Sequence, residues 1–140
     1  MTFEFITYAR PEPQGSMRGF VRNGRSILTS NNKKMKPYRQ EVTNTAQNAL
    51  LMETAELPLF GKHEPVSIRF KFYFQRPPSI PKKRVELVVK PDIDKIARAT
   101  CDALTGILYA DDAQIVEMTA SKHYGTPERV EVSISAVEAR

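Results

Sequence analysis

The sequence predicts an α+β fold, a mixed and mainly antiparallel sheet with two helices packed on one face, and three observations predict it. Val66, Ile68, Phe70, Phe72 and Phe74 alternate with Ser67, Arg69, Lys71 and Tyr73, the two-residue period of a strand buried on one side. Two stretches, Pro37 to about Glu53 and Asp92 to Leu104, repeat apolar residues at roughly the 3.6-residue period of a helix. The last two strand-like runs are joined by a short turn at Gly125-Thr126-Pro127, which suits antiparallel strands. A length of 140 residues supports one domain with a real core, spanning 1–140.

The elements follow in order. Thr2 to Tyr8 reads as a first strand with Phe3 and Phe5 on one face and Glu4 on the other, ended by Pro11 and Pro13. Turn residues at Asn23-Gly24 and Ser30-Asn31-Asn32 bracket a short strand from Arg25 to Thr29. The first helix starts at Pro37, tolerated in a first turn, with an inward stripe of Tyr38, Val42, Thr45, Ala49 and Met52; Pro58 and Gly61 close the region. The phenylalanine strand is followed by a proline-rich basic connection, Arg76 to Arg84, readable as a tether or as a binding rim. Asp92 then N-caps the second helix, whose stripe is Ile93, Ile96, Thr100 and Leu104, and Gly106 stops it. Val116, Met118 and Ala120 alternate with Glu117, Thr119 and Ser121 as a half-buried strand, and Val130, Val132, Ile134 and Ala136 mark the last strand.

Composition excludes several classes. With 41% hydrophobic and 26% charged residues the chain is neither collagen-like nor disordered. The single cysteine, Cys101, cannot form an internal disulfide, which fits a reducing compartment, and its place in a helix makes it a small core residue. No apolar run reaches membrane-spanning length and the N-terminus lacks a signal pattern, so a cytoplasmic location and no membrane partner are expected. The sequence contains no internal repeat, Walker motif, G-x-G-x-x-G loop or Cys/His metal cluster. His63 and His123 have no spacing that suggests a metal pair and read as surface residues.

The net charge of +5 is concentrated. Arg10, Arg18, Arg22, Arg25, Lys33, Lys34, Lys36 and Arg39 face one acid, Glu12, giving a local balance of +7 and leaving the remainder slightly acidic. A segmental excess of this kind suits phosphates, so nucleic acid is the expected partner; the plainer alternative is a solvated basic loop.

The acidic residues cluster elsewhere. Asp94, Arg98 and Asp102 follow at i, i+4 and i+8 in one polar column continuous with Asp92, and Asp111-Asp112 stand at the start of the next strand. If that strand packs beside the helix start, the carboxylates converge into an oxygen-only site suited to magnesium or manganese. The plainer reading leaves Asp92 as a helix cap and Asp111-Asp112 as a turn.

Lys90-Pro91-Asp92-Ile93-Asp94, Asp102-Ala103-Leu104, Tyr109-Ala110-Asp111-Asp112-Ala113-Gln114-Ile115 and Lys122-His123-Tyr124 together resemble the RusA family of phage Holliday junction resolvases. Gly15-Ser16-Met17-Arg18 and Lys36-Pro37-Tyr38-Arg39 resemble weaker features of the same family. The resemblance implies a homodimeric endodeoxyribonuclease, dependent on Mg2+ with Mn2+ as a substitute, that places symmetric nicks in four-way DNA junctions during recombination and repair. It also implies that Asp92, Asp94 and Asp112 are catalytic metal ligands. Two positions depart from the family pattern: Lys95 stands where the family usually has Asn, and Arg98 where it has a catalytic Lys. Arginine keeps the charge but cannot donate a proton at neutral pH, so either Arg98 acts as an electrostatic clamp or Lys95 has taken over the role.

Phosphodiester hydrolysis requires an activated water, charge neutralisation in the transition state and stabilisation of the leaving oxygen, all of which carboxylate-held magnesium supplies. Arg98 or Lys95, with Lys122 on the adjoining strand, would face the scissile phosphate; Asp102 would orient Arg98, and Asp111 would support the metal ligands or serve as an alternative one. Arg18, Arg22, Arg25, Lys33, Lys34 and Lys36 would bind DNA more broadly. Two rivals are a non-catalytic DNA-binding module and an interaction domain with a structural calcium. The first has no use for carboxylates that repel phosphate, and the second calls for about seven oxygen ligands.

Overall fold

The computed structural model describes residues 1–15, 17–22, 24–30, 32–53 and 55–137, with the backbone alone for 17–22 and 25–30. The elements are β1 (Thr2–Thr7), β2 (Met17–Arg22), β3 (Arg25–Ser30), α1 (Met35–Met52), β4 (Val66–Phe74), α2 (Ile93–Leu104), a short 3-10 helix (Asp112–Gln114), β5 (Ile115–Tyr124) and β6 (Arg129–Ala136). β1, β6, β4 and β5 form one mixed sheet in that order, and β2 and β3 form a separate hairpin. Its two-residue connection places Gly24 at φ +75°, a conformation glycine adopts without a steric cost.

Alternation along the strands builds the core. Phe3 and Phe5 of β1, Val66 to Phe74 at every second residue of β4, and Val130, Val132 and Ile134 of β6 are all buried on the helix-covered face. Tyr38, Val42, Ala46 and Leu50 of α1 meet Ile96, Ala99, Thr100 and Leu104 of α2 in the same core. Polar atoms between the helices are paired. The Thr100 hydroxyl donates to the Ile96 carbonyl, leaving it to accept the Tyr38 hydroxyl at 2.7 Å, and the Thr43 hydroxyl donates to the Ala103 carbonyl. Burial pushes the Tyr38 phenol well above its ordinary range, so it remains a donor.

The α+β architecture expected from the sequence is observed, with three local differences. The inward stripe of α1 runs through Met35, Tyr38, Val42, Ala46 and Leu50, whereas the expected Met52 is 88% exposed. From Tyr38 onward the buried residues recur every four residues, so the buried face drifts by about 40° per step around a helix of 3.6 residues per turn and parts from the expected alternation of three and four. The strand β2, paired with β3, was not expected, because Met17 to Arg22 shows no alternation of apolar and polar residues in the sequence.

The third difference is topological. β5 and β6 run in opposite directions, as their short connection demands, yet they do not pair: β4 lies between them, parallel to β5 and antiparallel to β6. The turn must therefore pass over the end of β4. Gly125 N–H donates to the Phe74 carbonyl at 2.9 Å, and a Cβ at Gly125 would lie 2.8 Å from the Tyr73 ring, so this crossing requires glycine. At the other end of the pair, a register shift between Val66 and Ser67 makes Val116 an extra residue in β5. Val116 and Met118, expected to face inward, are 57% and 46% exposed because they lie on the edge strand beside an open cavity.

Candidate active site

The site is organised by the segment between α2 and β5. Gly106, at φ +86°, follows the end of α2 and turns the chain back. Phe60 N–H donates to the Leu108 carbonyl at 2.8 Å, and the buried Tyr109 hydroxyl donates to the Cys101 carbonyl at 2.7 Å, so the chain is anchored to the helix it has just left. Asp111 and Asp112 come directly after this anchor. Their turn closes with a reciprocal cap: Asp111 Oδ1 accepts from Ala113 N–H at 2.9 Å, and Gln114 Oε1 accepts from the N–H groups of Ala110 and Asp111 at 2.8 and 2.9 Å.

Gln114 does more than cap. Only 8% exposed, it directs its Nε2 to the carbonyls of Gly61 and Glu64 at 2.8 and 3.0 Å, so its amide uses both acceptor positions and both donors. The loop before β4 and the acidic turn before β5 are thereby locked together. In the sequence Gln114 stands out only within the Asp111-Asp112-Ala113-Gln114-Ile115 run, where Asp followed three residues later by Gln has a capping-box spacing.

The parallel pairing of β4 with β5 and the packing of α2 beside it bring Asp94, Arg98, Asp102 and Asp112 around one cavity of about 460 Å³, with Glu117 and Met118 on its β5 side. Its acids come from two stretches of chain, Asp94 and Asp102 from α2 and Asp112 and Glu117 from the segment that enters β5. Asp92 and Lys95 fall on the other side of the helix start. They line a neighbouring cleft of about 720 Å³ with Arg10, Lys34 and Lys90, in which the Asp92 carboxylate is 3.5 Å from Lys95 and 3.8 Å from Lys90. Asp92 stands at the N-cap, as expected, but its side chain makes no capping hydrogen bond. The predicted ligands are thus divided, Asp94 and Asp112 in one cavity and Asp92 in the next.

The anionic groups of the first cavity are all carboxylates, the donor type a hard cation prefers, although Cys101 and Met118 also line it. Among the described residues no three His, Cys, Asp or Glu side chains are arranged to hold one ion. Magnesium commonly binds through one or two carboxylates, with waters and substrate phosphates completing its shell, and Asp94 with Asp112 fits that incomplete form.

The remaining predicted residues are placed as follows. Arg98 is exposed and, among the described residues, forms no ion pair with Asp94 or Asp102; on a solvated helix face such pairing is worth little, and the expected orientation of Arg98 by Asp102 is not made. Lys33, Lys34 and Lys36 are exposed at the start of α1, with Lys34 lining the basic cleft. Lys122 is half-buried and donates to the carbonyls of Val89 and Pro91. The side chains of Arg18, Arg22 and Arg25 lie outside the described residues. His63 is exposed, but His123 is half-buried, stacked on Tyr73 at 5.1 Å and hydrogen-bonded to Ser121. Burial pushes the Cys101 thiol up to about 11, which keeps it protonated and removes it as a nucleophile at neutral pH.

An α+β domain with a carboxylate-lined cavity beside a lysine-rich cleft is the class defined by this geometry. The chain belongs to the RusA family: the sequence profile described as Endodeoxyribonuclease RusA matches residues 11–135. It is also similar to "Uncharacterized protein YqaN" of Bacillus subtilis (strain 168), 34% identical over 146 residues, covering 97% of each chain. The family implies an endodeoxyribonuclease acting on branched DNA junctions. Among the described residues no helix is long and apolar enough to cross a membrane.

The two adjacent acids are not equivalent. The hydrogen bond to the Asp111 carboxylate, with burial and the Asp111 and Asp102 charges, raises Asp112 above the usual carboxylate range, while the Ala113 N–H holds Asp111 below it. Asp112 therefore keeps its proton to higher pH than an ordinary aspartate. Replacing Asp111 by Asn removes a negative neighbour and should lower the Asp112 titration toward the ordinary value. Carboxyl carbon chemical shifts followed by NMR against pH check this; an unmoved Asp112 titration would mean that Asp111 is not its partner.

Proposed function

We propose that this protein is a magnesium-dependent, structure-selective endonuclease that resolves Holliday junctions by paired symmetric nicks, acting as a homodimer in DNA recombination and repair. The observation that carries this reading is the convergence of Asp94 and Asp112 on one cavity, beside the cleft lined by Lys34, Lys90 and Lys95. Carboxylates alone repel a phosphodiester, so their placement next to a phosphate-attracting cleft makes chemical sense when a cation lies between them. Two nicks related by a two-fold axis call for two copies of the site, which a homodimer provides.

In this reading Asp94 and Asp112 hold the ion, and Asp92 serves from the adjoining cleft. When bound, magnesium lowers the pKa of a coordinated water and neutralises charge on the scissile phosphate, and manganese substitutes as another oxygen-preferring cation. Arg98, exposed on the cavity rim, faces the phosphate as a fixed positive charge. It stabilises the developing negative charge electrostatically and transfers no proton. Lys95, drawn toward Asp92, contributes to the basic cleft that aligns the DNA backbone. Asp102 keeps the inner wall of the cavity negative, and Arg18, Arg22, Arg25, Lys33 and Lys36 extend the DNA-binding footprint.

Cleavage of a labelled four-way junction tests the reading. Activity is expected with magnesium or manganese and not with calcium or chelator, and Asp112→Asn should reduce the single-turnover rate by about 100-fold or more while leaving junction affinity in calcium intact. Cleavage by Asp112→Asn near the wild-type rate would make Asp112 a turn residue only.

The departure from the family pattern gives a second test. Arg98 lines the carboxylate cavity and Lys95 the neighbouring cleft, so Arg98→Ala should lower the single-turnover rate much more than Lys95→Ala, with Arg98→Lys recovering most of the loss. The reverse ranking would place the catalytic cation at the first turn of α2.

A further inference from the structure

We infer that Lys122 is a positioning residue, which fixes the segment leading into α2 and thereby sets the direction of Asp92. This inference rests on the nuclease reading of the site. Sequence alone suggests a different role for Lys122, a phosphate contact, and the two roles use its ammonium group differently.

Lys122 lies on the edge strand β5, in register with Phe72 of β4 on the helix-covered side of the sheet. Its half-buried ammonium donates to the Val89 carbonyl at 2.8 Å and to the Pro91 carbonyl at 3.0 Å. Charge-assisted bonds of this kind are stronger than neutral ones, and two of the three lysine donors are occupied. One donor remains, so a phosphate would have to approach the ammonium where the two carbonyls already hold it.

The segment it holds has few other supports. Val85, Val88 and Val89 are exposed, and Leu87 is the one residue of 82–90 buried in the core. Among the described residues, no backbone N–H or carbonyl between Val85 and Pro91 takes part in a backbone–backbone hydrogen bond outside regular elements, and Pro91 has no N–H to offer. Lys122 grips the chain on both sides of Lys90, immediately before Asp92.

The direction of Asp92 depends on that grip. An aspartate at an N-cap is normally held by its own carboxylate accepting a helix N–H. Asp92 makes no such bond, although its backbone at φ −68° and ψ 134° has the extended conformation usual at an N-cap. Its ion pairs to Lys90 and Lys95, at 3.8 and 3.5 Å and largely solvated, are weak restraints. Where the carboxylate points is therefore governed by the backbone arriving from Pro91, which Lys122 holds from below.

Lys122→Met, of similar length but uncharged, and Lys122→Arg, which keeps charge and donors, separate the two roles. The positioning role predicts that Lys122→Met lowers the single-turnover cleavage rate by about 10- to 100-fold. It also predicts unchanged junction affinity and salt dependence in calcium, and faster hydrogen exchange at the Lys95 and Ile96 amides, which bond to the Asp92 carbonyl. Lys122→Arg should restore the exchange protection and part of the rate. Weaker junction binding with a salt slope smaller by about one, and unchanged exchange, would assign Lys122 to a phosphate instead. Unchanged rate and exchange would overturn the inference as well. If the wild-type protein cleaves no junction, the nuclease reading falls, while the exchange measurement still decides whether Lys122 holds the helix start.

Discussion

The buried amide of Gln114 is the interaction on which the acidic site depends. Four backbone groups from two segments meet at one side chain: Ala110 and Asp111 at its oxygen, Gly61 and Glu64 at its nitrogen. Leaving any of them buried without a partner costs about 1–3 kcal/mol, so the turn and the loop are fixed together or lost together. With the turn fixed, β5 starts in register against β4, and Asp112 faces α2 across the cavity. Tyr109, one residue before Ala110, closes the arrangement by hydrogen-bonding to the helix that carries Asp94.

Charge is sorted across the helix start. One side of α2 presents Asp94 and Asp102 toward Asp112, and the other presents Lys95 toward Lys34 and Lys90. A phosphodiester drawn to the lysines is thus brought to the edge of a site that repels it unless a cation is present. The raised titration of Asp112 has the same origin, since one carboxylate of a close pair resists losing its proton while its neighbour is charged. A divalent ion would relieve that repulsion directly.

Much of the fold could be read from residue alternation, because burial on one face of a sheet leaves a period of two in the sequence. For that reason the run 66–74 matches its strand and 130–136 falls one residue short of its own, and Asp92 and Gly106 mark the limits of the second helix to within two residues. Pairing was less legible. The short turn at Gly125 indicates direction but not neighbours, and the insertion of β4 between β5 and β6 is a non-local choice with no local signal beyond that glycine. The acids of the site could be identified from their clustering and from the family resemblance, whereas their division between two cavities depends on rotation about the start of α2. Lys122 is a further case: its charge is visible in the sequence, but its two carbonyl partners lie more than thirty residues away.

The central claim is that a divalent cation binds between α2 and the start of β5. Paramagnetic broadening of backbone amide resonances on titration with Mn2+ tests it directly and without reference to activity. The account predicts selective loss of signals from the first turns of α2 and from the Asp111–Gln114 turn, with β1 and β6 unaffected. Broadening centred elsewhere, or no localised broadening at concentrations that would support cleavage, would contradict it.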